Sequence, residues 1–511
     1  MHKTVVIGAG IAGLSTAYYL QKVEGKDADY LLLEGSSHLG GKITTHAGDG
    51  FLVEGGPDSF LTQKRAALDL CRELGLGDQL MGSNHTATPS TYVLSKGRLH
   101  PMPEGMMLMA PTMILPVLRS RLISWPGKLR MGLEIFVGRN TTDPDESLGS
   151  FVRRRLGPEM LEKIAGPLMA GIHSGDPDSL SLRSTFPMFL ELEAKHRSLV
   201  LGMMKRKKAQ SAGPHGGPAS NAASAGRTSM FTTLRGGVQR LPEAIAARLD
   251  PERVGLECPV ESVTREGDPV QGGGYRVTLR GGHSVQAENV VFATPAYITA
   301  GIIEGFDPVL ASDLRKIRYV STATVSLAFR RSEITCALNG FGFIVPKSEG
   351  RRINACSWSS TKFDHRAPED SVLLRVFIGG AFAEDLAEQD EDSLIEIARQ
   401  ELSRIMGITA TPILARAYRW RKSVPQYNVG HSVLIQEIEG RMATHPGLYL
   451  AGAAYHGSGI PECIQRGAET AAKIHRRGPD AHRADALVGA IEGSNAISGT
   501  VPVAARSVST S

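Results

Sequence analysis

The chain has 511 residues and a formal net charge of +5, from 57 Lys and Arg against 52 Asp and Glu. Its length exceeds the size at which one hydrophobic core usually stops growing, so we expect two or three domains. The composition, 41% hydrophobic and 21% charged, excludes a fibre or a generally disordered chain, and the small net charge gives no reason to expect a nucleic-acid partner.

The start of the chain predicts a strand, a glycine turn, a helix and a second strand. A β-branched run at residues 4–7 precedes three spaced glycines, a helical pattern to about Val23 and an apolar run that ends at Glu34. In a dinucleotide site, such glycines make the turn, admit the pyrophosphate and let helix and strand pack closely. These glycines are Gly8, Gly10 and Gly13, and we place Ile11 and Ala12 at the same site.

Glu34 follows the glycine motif at the ~20-residue offset expected for an acid that accepts hydrogen bonds from ribose hydroxyls. An acid there disfavours a 2′-phosphate, so these residues leave FAD and NAD open and disfavour NADP. Gly40 and Gly41 offer another close backbone approach, and Lys42 supplies a cation suited to a pyrophosphate. Residues 55–58, Gly55-Gly56-Pro57-Asp58, predict a turn.

The next part of the chain is predicted to be mostly helical. A helix is expected at residues 63–76 and a hairpin at residues 90–103, and the helical patterns continue at 129–137, 147–156 and 159–169. Residues 106–125 are apolar but too interrupted by proline and arginine to span a bilayer. Two interpretations stay open for them: ordinary core, or a surface that covers a hydrophobic ligand or lies on a membrane.

Between residues 195 and 208 there are six Lys or Arg and no acid. This run suits an anionic substrate or membrane surface, or simply a solvated helix face. Residues 209–229, rich in Gly, Ser and Ala, predict a disordered linker, and residues 479–511 a disordered tail.

The second half of the chain is predicted to consist mainly of strands. A helix at 238–249 and strands at 259–263, 275–279 and 284–294 are expected to extend the nucleotide-binding part. Strands at 318–329, 340–346, 353–357 and 372–378, with a helix at 394–406, indicate a second sheet. A buried strand at 448–451 runs into a glycine turn and a helix at 460–476, and because ligands bind at strand C-termini, this turn is predicted to touch the same cofactor.

The five cysteines show no CxxC pair and no metal-like spacing, so we expect reduced thiols, no metal site and a cytoplasmic protein. We also expect no signal peptide, because the first strand begins at once, and no transmembrane helix, because no apolar run reaches 18 residues. The cysteines are Cys71, Cys258, Cys336, Cys356 and Cys463.

Several segments resemble a known family: VVIGAGIAGLSTAYYL, LLLEGSSHLGGKI, EGGPDSF, SLGSFVRRRLG, AGIHSGDPDSLSLRSTFP, EAKHRSLVLGM, RWRKSVPQYNVGH and YLAGAAYHGSGIPECIQRG. The chain is similar to the FAD-dependent protoporphyrinogen and coproporphyrinogen oxidases of haem biosynthesis, within the amine-oxidase-like flavoproteins. The match extends from Val5 to Gly467, and several of its segments have no role in generic FAD binding.

The resemblance implies an α/β fold with a glutathione-reductase-type FAD-binding Rossmann domain, a mixed-sheet substrate domain and an inserted helical domain. The FAD-binding domain would comprise residues 1–83, 230–298 and 438–477, the helical domain 84–208, the linker 209–229, the substrate domain 299–437 and the tail 478–511. FAD contacts are then expected at the residues named above and at Val260, Ala293, Gly452, Gly459, Ile460, Pro461 and Cys463.

The resemblance places the substrate between FAD and the other two domains, near Gly171, with residues 425–427 at the junction. Plant and mitochondrial protoporphyrinogen oxidases have an arginine just before the hairpin aromatic, where this chain has Thr91. The phrases KHRSLVLGM, VRRRLG and LHPMP look like the Gram-positive type, which oxidises coproporphyrinogen III. That substrate has four propionates rather than two, so Lys64 and Arg65 are candidate partners, unless they are merely exposed helix charges.

The implied mechanism is hydride transfer from a meso carbon to the flavin with loss of an N–H proton. O2 reoxidises the flavin to give H2O2, and three two-electron steps yield the porphyrin. We predict no catalytic acid or base; His456 is either structural or a proton carrier. Ferrochelatase is an implied pathway neighbour, and peripheral contact with the inner face of the membrane is a further expectation.

Three alternatives to coproporphyrinogen oxidation stay open. One is oxidation of protoporphyrinogen IX. A flavin amine oxidase is disfavoured because the last glycine turn, Gly457-Ser458-Gly459-Ile460, lacks the aromatic that such enzymes use. A non-catalytic FAD-binding scaffold would have no need of the porphyrinogen-type segments.

Overall fold

The computed structural model describes residues 2–25, 28–84, 91–212, 229–267 and 273–476. The predicted tail lies outside these residues, and so does most of the predicted linker. Residues 209–212 are an exception, because the helix that precedes the linker continues through them.

The strands, in chain order, are β1 His2–Ile7, β2 Tyr30–Leu33, β3 Thr45–Gly48, β4 Phe51–Glu54, β5 Phe60–Leu61, β6 Leu80–Gly82, β7 Tyr92–Ser95, β8 Arg98–Pro101, β9 Met106–Met107, β10 Ala110–Pro111, β11 Phe231–Leu234, β12 Val254–Gly255, β13 Val260–Glu266, β14 Gly274–Leu279, β15 Ser284–Phe292, β16 Tyr319–Arg330, β17 Gly342–Ile344, β18 Ala355–Trp358, β19 Ser371–Gly379, β20 Leu414–Pro425 and β21 Leu448–Leu450.

The helices are α1 Ile11–Glu24, α2 Arg65–Glu73, α3 Ile114–Arg119, α4 Trp125–Gly132, α5 Leu148–Leu156, α6 Pro158–Met160, α7 Gly166–His173, α8 Leu182–Thr185, α9 Pro187–His196, α10 Leu199–Ala212, α11 Arg240–Ala246, α12 Ala296–Ile303, α13 Pro308–Arg315, α14 Ser359–Lys362, α15 Glu384–Ala387, α16 Glu391–Met406, α17 His431–Met442 and α18 Ile460–Arg476. Among the described residues, no helix is both long and apolar enough to cross a bilayer.

The first sheet is built from distant parts of the chain. Its order is β12-β2-β1-β15-β14-β13, and β21 pairs with the end of β15. The pairs around β1 are parallel, whereas β13, β14 and β15 form an antiparallel meander. Residues 5–7 are buried because helices cover both faces of this sheet. The carboxyl ends of β1, β2 and β21 therefore meet at one edge, where parallel α/β sheets bind ligands.

The second sheet is mixed and has the order β20-β16-β19-β18-β17-β7-β8. Its pairs are antiparallel except for β17 with β7. The hairpin β7–β8 belongs to this sheet, although it lies in the segment predicted as the helical domain. Conversely, α12, α13 and α17 pack in the core of the first sheet. The exact domain boundaries stay predictions.

A buried ion-pair network holds together the helical segment. Arg155 on α5 is fully buried, and its guanidinium contacts Glu134 Oε1 at 3.1 Å and Glu193 Oε1 at 2.8 Å. Glu134 also accepts hydrogen bonds from Ser198 Oγ and from the N–H of Leu199, each at 2.6 Å. Because removal of one partner would leave a buried charge unpaired, this network fixes the turn at Leu133–Phe136 against α9 and α10.

Candidate cofactor and substrate site

Three glycines shape the turn between β1 and α1. Gly8 has a φ of +99°, which favours glycine, and its N–H donates to the last carbonyl of β2 at 2.7 Å. A Cβ added at Gly13 would lie 1.8 Å from the carbonyl oxygen of Gly8, whereas one added at Gly10 would meet no atom of the described residues within 4 Å. The backbone at Gly10 thus faces open space at the N-terminus of α1, where a phosphate fits. Ile11 and Ala12 are buried in the first turn of that helix.

Glu34 lies directly after β2 and faces the glycine turn. One carboxylate oxygen accepts the N–H of Ala9 at 2.7 Å, and the other accepts the N–H and the hydroxyl of Ser36 at 2.9 and 2.8 Å. A carboxylate has about four lone-pair sites, so Glu34 retains acceptor capacity for a ribose hydroxyl.

The second glycine stretch packs on the first. The N–H of Gly40 donates to the carbonyl of Ala9 at 2.9 Å, and a Cβ added at Gly41 would lie 3.2 Å from the Cα of Gly10. These contacts place Gly40 and Gly41, which precede Lys42, against the open side of the turn between β1 and α1.

Lys42 reaches towards the second sheet. Its ammonium donates to the carbonyl of Ser423 near the end of β20. Lys42 is an exposed residue. The protein atoms around its ammonium nevertheless desolvate it and lower the pKa of Lys42 to about 8. Two buried hydroxyls have no hydrogen-bond partner among the described residues: Thr44 Oγ1, two residues after Lys42, and Ser423 Oγ, on the residue whose carbonyl Lys42 contacts.

The turn that begins with Gly55, Gly56 and Pro57 lies against the Lys42 segment. A Cβ added at Gly55 would lie 2.5 Å from Thr44 Oγ1, and one added at Gly56 would lie 1.8 Å from the carbonyl oxygen of Lys42. Any other residue type would therefore push the turn away from Lys42.

Asp58 closes this turn with an ion pair. Its carboxylate accepts a hydrogen bond from Lys362 Nζ at 2.9 Å. Burial would raise the pKa of Asp58, but the charges of Lys362 and Arg375 outweigh burial and hold that pKa well below its usual range. Asp58 is thus an anion that ties the turn to the second sheet.

The last glycine turn completes the same edge of the first sheet. Gly452 has a φ of +116°, and within the described part of the chain an added Cβ would approach only the Ala293 carbonyl oxygen, at 3.9 Å. Ala293 is itself anchored, since its N–H donates to the last carbonyl of β1 at 2.8 Å. Val260 begins β13 in the same sheet. Gly452 therefore leaves a second open backbone position beside the first turn.

The N-terminus of α18 follows that turn and packs on α1. The N–H of Cys463 donates to the carbonyl of Gly459 at 3.0 Å, and Ile460, Pro461 and Cys463 are buried. Burial raises the pKa of the Cys463 thiol to about 12, so it is neutral at physiological pH. Ile460, Pro461 and Cys463 therefore contribute an apolar, uncharged surface, and the charge in this turn of α18 is that of Glu462.

Lys64 pairs with a residue that the sequence analysis did not single out, Glu462 on α18. The Lys64 side chain is 47% exposed and that of Glu462 is 19% exposed. His173, at the end of α7, lies in the same region: burial and, to a smaller extent, the charge of Lys64 together lower the pKa of His173 to about 4, although Glu462 opposes them. His173 could have been noticed because it follows Gly171 by two residues, but Glu462 carries no local signal.

The other predicted substrate contacts are dispersed. A Cβ added at Gly171 would meet nothing within 4 Å in the part of the chain that the structure describes, so α7 has an open side there. Arg65 pairs with Asp69 along α2 at 3.1 Å, and both are exposed. Thr91 lies just before β7, on the second sheet. The structure thus brings Lys64 towards the end of α7 and leaves Arg65 on the surface.

Residues 426 and 427 join the end of α7 to the last glycine turn. Gln426 Nε2 donates to the carbonyl of His173 at 3.0 Å. The hydroxyl of Tyr427 donates to the carbonyl of Ala453 at 2.6 Å and accepts the N–H of Gly457 at 2.7 Å. His456, next to this turn, contacts Glu439 Oε1 at 2.6 Å through Nε2. The helical segment is therefore fixed relative to the edge of the first sheet.

These features fit an extended dinucleotide. Open backbone positions occur at Gly10 and Gly452, an acceptor at Glu34, a cation at Lys42 and unpaired buried hydroxyls beside it. FAD needs donors and acceptors at both of its ends and glycine backbone between them, which is what this edge of the sheet offers.

Comparison with known proteins identifies the family. Residues 11–475 match the family described as Flavin containing amine oxidoreductase. The chain is 37% identical over 467 residues to a Bacillus subtilis protein named Coproporphyrinogen III oxidase, and the match covers 91% of this chain and 96% of that relative. It is 29% identical over 485 residues to the chloroplastic Protoporphyrinogen oxidase of Nicotiana tabacum, with 92% of this chain and 85% of the relative covered. A crystal structure of an Exiguobacterium protein, provisionally named protoporphyrinogen oxidase, superposes with a TM-score of 0.79 at 30% identity (93% and 99%). The chain therefore belongs to the flavin-containing amine oxidoreductase family, and it is an FAD-dependent oxidoreductase.

Proposed function

We propose that this protein oxidises coproporphyrinogen III to coproporphyrin III. The observation that carries the proposal is the higher identity to the relative named coproporphyrinogen III oxidase, 37% against 29% for the chloroplast protoporphyrinogen oxidase, over similar lengths. Oxidation of protoporphyrinogen IX is the alternative, because the Exiguobacterium structure carries that name.

The reaction removes six electrons and six protons from the porphyrinogen. With O2 as the electron acceptor, three O2 are reduced to three H2O2 for each porphyrin formed. Bound FAD supplies the two-electron redox chemistry that no side chain of this protein provides. The protein's share is to bind the macrocycle, to hold it still and to keep water away from it.

Lys64 supports the choice of a substrate with several carboxylates. Its ammonium lies at the junction of α2 and α18 and is nearly half exposed, so a propionate can reach it. Glu462 holds Lys64 in place until that propionate arrives. We infer that the substrate lies between this ion pair and the open side of α7 at Gly171.

We also propose that no side chain acts as an essential acid or base. Burial lowers the pKa of His173 to about 4, so at physiological pH it is a neutral and weakly basic imidazole, which argues against it as the base that takes the N–H proton. His456 is in contact with Glu439 on α17, an arrangement that supports a structural role. We therefore expect His456→Gln to retain most of the activity.

The direct test is product stoichiometry. Purified protein is mixed with coproporphyrinogen III in air, and porphyrin fluorescence and H2O2 are measured together. We expect three H2O2 per coproporphyrin and no porphyrin without O2. Absence of porphyrin formation above the uncatalysed rate would refute the proposal, and porphyrin formation without O2 would refute O2 as the acceptor.

A second proposal concerns location: the protein works in the cytoplasm, in peripheral contact with an anionic membrane surface. Residues 113–136 expose large apolar side chains that we call the apolar ridge. Trp125, Leu129 and Phe136 are the most exposed of them, at 67%, 71% and 78%. Arg119 and Arg121 are exposed between the ridge helices α3 and α4. Apolar side chains flanked by cations suit the boundary between lipid tails and anionic headgroups.

The test for membrane contact is sedimentation with phosphatidylglycerol vesicles. We expect Leu129→Ser combined with Phe136→Ser to release the protein from the vesicles. Val433→Ser is the matched control, because Val433 is 54% exposed on α17, outside the ridge. Equal sedimentation of both variants would contradict the proposal. A transient contact with a ferrochelatase, to hand over the product, is the remaining part of the proposal.

A further inference from the structure

A buried arginine of the second sheet holds the Gly55 turn. Arg375 lies in β19 and is only 3% exposed. Its Nη2 donates to the carbonyl of Gly55 at 3.3 Å and also to the carbonyl of Gly56. One guanidinium therefore fixes two consecutive peptide planes.

Two neighbouring strands add donors to the same carbonyl. Thr324 Oγ1 in β16 donates to the carbonyl of Gly55 at 2.9 Å, and Trp420 Nε1 in β20 donates to it at 2.8 Å. A carbonyl oxygen has two lone pairs, so three donors saturate it. The Gly55 carbonyl is thus oriented by three adjacent strands of the second sheet.

The turn lies beside Lys42, a predicted FAD contact. In a planar trans peptide, the N–H of Gly56 points away from the carbonyl of Gly55. Among the described residues, this N–H has no hydrogen-bond acceptor. The turn is also pressed against Lys42, whose carbonyl leaves no room for a Cβ at Gly56. Gly56 is partly buried. Because its N–H has no acceptor among the described residues, it is available to donate to a bound ligand.

The charge of Arg375 is costly to keep here. Burial lowers the pKa of Arg375, although Asp58 and Glu54 oppose the effect, and its Nε has no hydrogen-bond partner among the described residues. A neutral side chain would hold the turn with a smaller desolvation penalty. A cation on a carbonyl polarises the peptide and strengthens its N–H as a donor.

We propose that Arg375 is a positioning residue for the bound cofactor. It orients the Gly55–Gly56 peptide so that the N–H of Gly56 donates to FAD, and its positive charge strengthens that donor. This inference rests on the predicted contact between the turn and FAD, and not on the identity of the substrate.

The test compares two substitutions of Arg375 with a control, and it needs no porphyrinogen. Arg375→Lys keeps the charge and loses the two-carbonyl geometry, whereas Arg375→Gln loses the charge. We expect both to raise the dissociation constant of FAD for the apoprotein about tenfold. Arg375→Gln should also lower the reduction potential of the bound flavin, because a nearby cation favours the electron-rich reduced form; Arg375→Lys should leave it close to that of the unsubstituted protein.

Arg366→Lys is the matched control. Arg366 is also buried and donates to the carbonyls of Leu234 and Arg235. It approaches Glu54 at 3.9 Å, but its hydrogen bonds among the described residues do not reach the turn at residues 55–58. We expect it to lower thermal stability without changing FAD affinity or the flavin spectrum. If both Arg375 variants behave like Arg366→Lys, the proposal is overturned. If FAD affinity falls but the potential is unchanged in Arg375→Gln, the electrostatic part is overturned.

Gentler variants cover the case in which the Arg375 variants do not fold. Thr324→Val and Trp420→Phe each remove one donor from the Gly55 carbonyl with little change of shape. Together they should shift the visible flavin spectrum and weaken FAD binding in the same direction. An unchanged spectrum and affinity would contradict the proposal. Turnover of any porphyrinogen has no bearing on these readouts, so they are independent of the proposed function.

Discussion

Glu462→Gln is expected to lower the KM for coproporphyrinogen III, because Glu462 competes with the substrate for Lys64. The pair is partly solvated, with Lys64 47% exposed. Exposed ion pairs contribute roughly 0.2–1 kcal/mol, which corresponds to about a 1.4- to 5-fold change in affinity. Lys64→Ala should instead raise the KM, since it removes the cation itself.

The assay is porphyrin fluorescence in air, with coproporphyrinogen III and protoporphyrinogen IX as parallel substrates. Lys64→Ala should affect the four-carboxylate substrate more than the two-carboxylate one. Arg65→Ala serves as the control and should change neither KM, because Arg65 pairs with Asp69 on the surface of α2. If Glu462→Gln raises the KM as much as Lys64→Ala does, or if both substrates respond equally, Lys64 does not bind the additional propionates.

Three further outcomes are expected. Glu34→Ala should weaken FAD retention and free the N–H of Ala9; a variant that purifies fully yellow with unchanged affinity would count against a ribose contact. Gly13→Ala should abolish FAD binding, because its Cβ would lie 1.8 Å from the Gly8 carbonyl, and a normal flavin content after purification would contradict this. FAD affinity should fall as the pH rises through about 8, because Lys42 is a cation below its lowered pKa and neutral above it; Lys42→Met should have a flat profile between pH 7 and pH 9 by titration of the apoprotein.

Local chemistry made much of the fold predictable. Gly8 and Gly13 have a direct steric cause, a positive φ and a close approach to the Gly8 carbonyl, so the first strand, turn and helix follow from sequence alone. The strand expected at 318–329 is β16, Tyr319–Arg330. The helix expected at 394–406 begins earlier, at Glu391, because Asp390 caps it by accepting the N–H of Ser393 at 2.9 Å. The apolar pattern detects the buried face of a helix and not its polar first turn.

Long-range pairing was not predictable. Nothing in residues 92–101 indicates that their hairpin extends the second sheet, since strand partners depend on the whole fold. Similarly, α12 and α13 have the apolar faces of core helices, but sequence does not show which sheet they cover.

The candidate site likewise has a part that could be predicted from local sequence and a part that could not. Its glycines were visible because a turn or close approach demands them. The Lys64–Glu462 pair joins residues 398 positions apart, and the donors that reach the Gly55 carbonyl come from three separate strands. Charged and polar partners of this kind are brought together only in the folded chain, so local sequence patterns do not predict them.

The most direct test of the proposed function is a comparison of kcat/KM for coproporphyrinogen III and protoporphyrinogen IX with the purified, FAD-loaded protein. The account predicts a clear preference for coproporphyrinogen III. A preference for protoporphyrinogen IX would contradict the substrate assignment, and turnover of neither would contradict the proposed function.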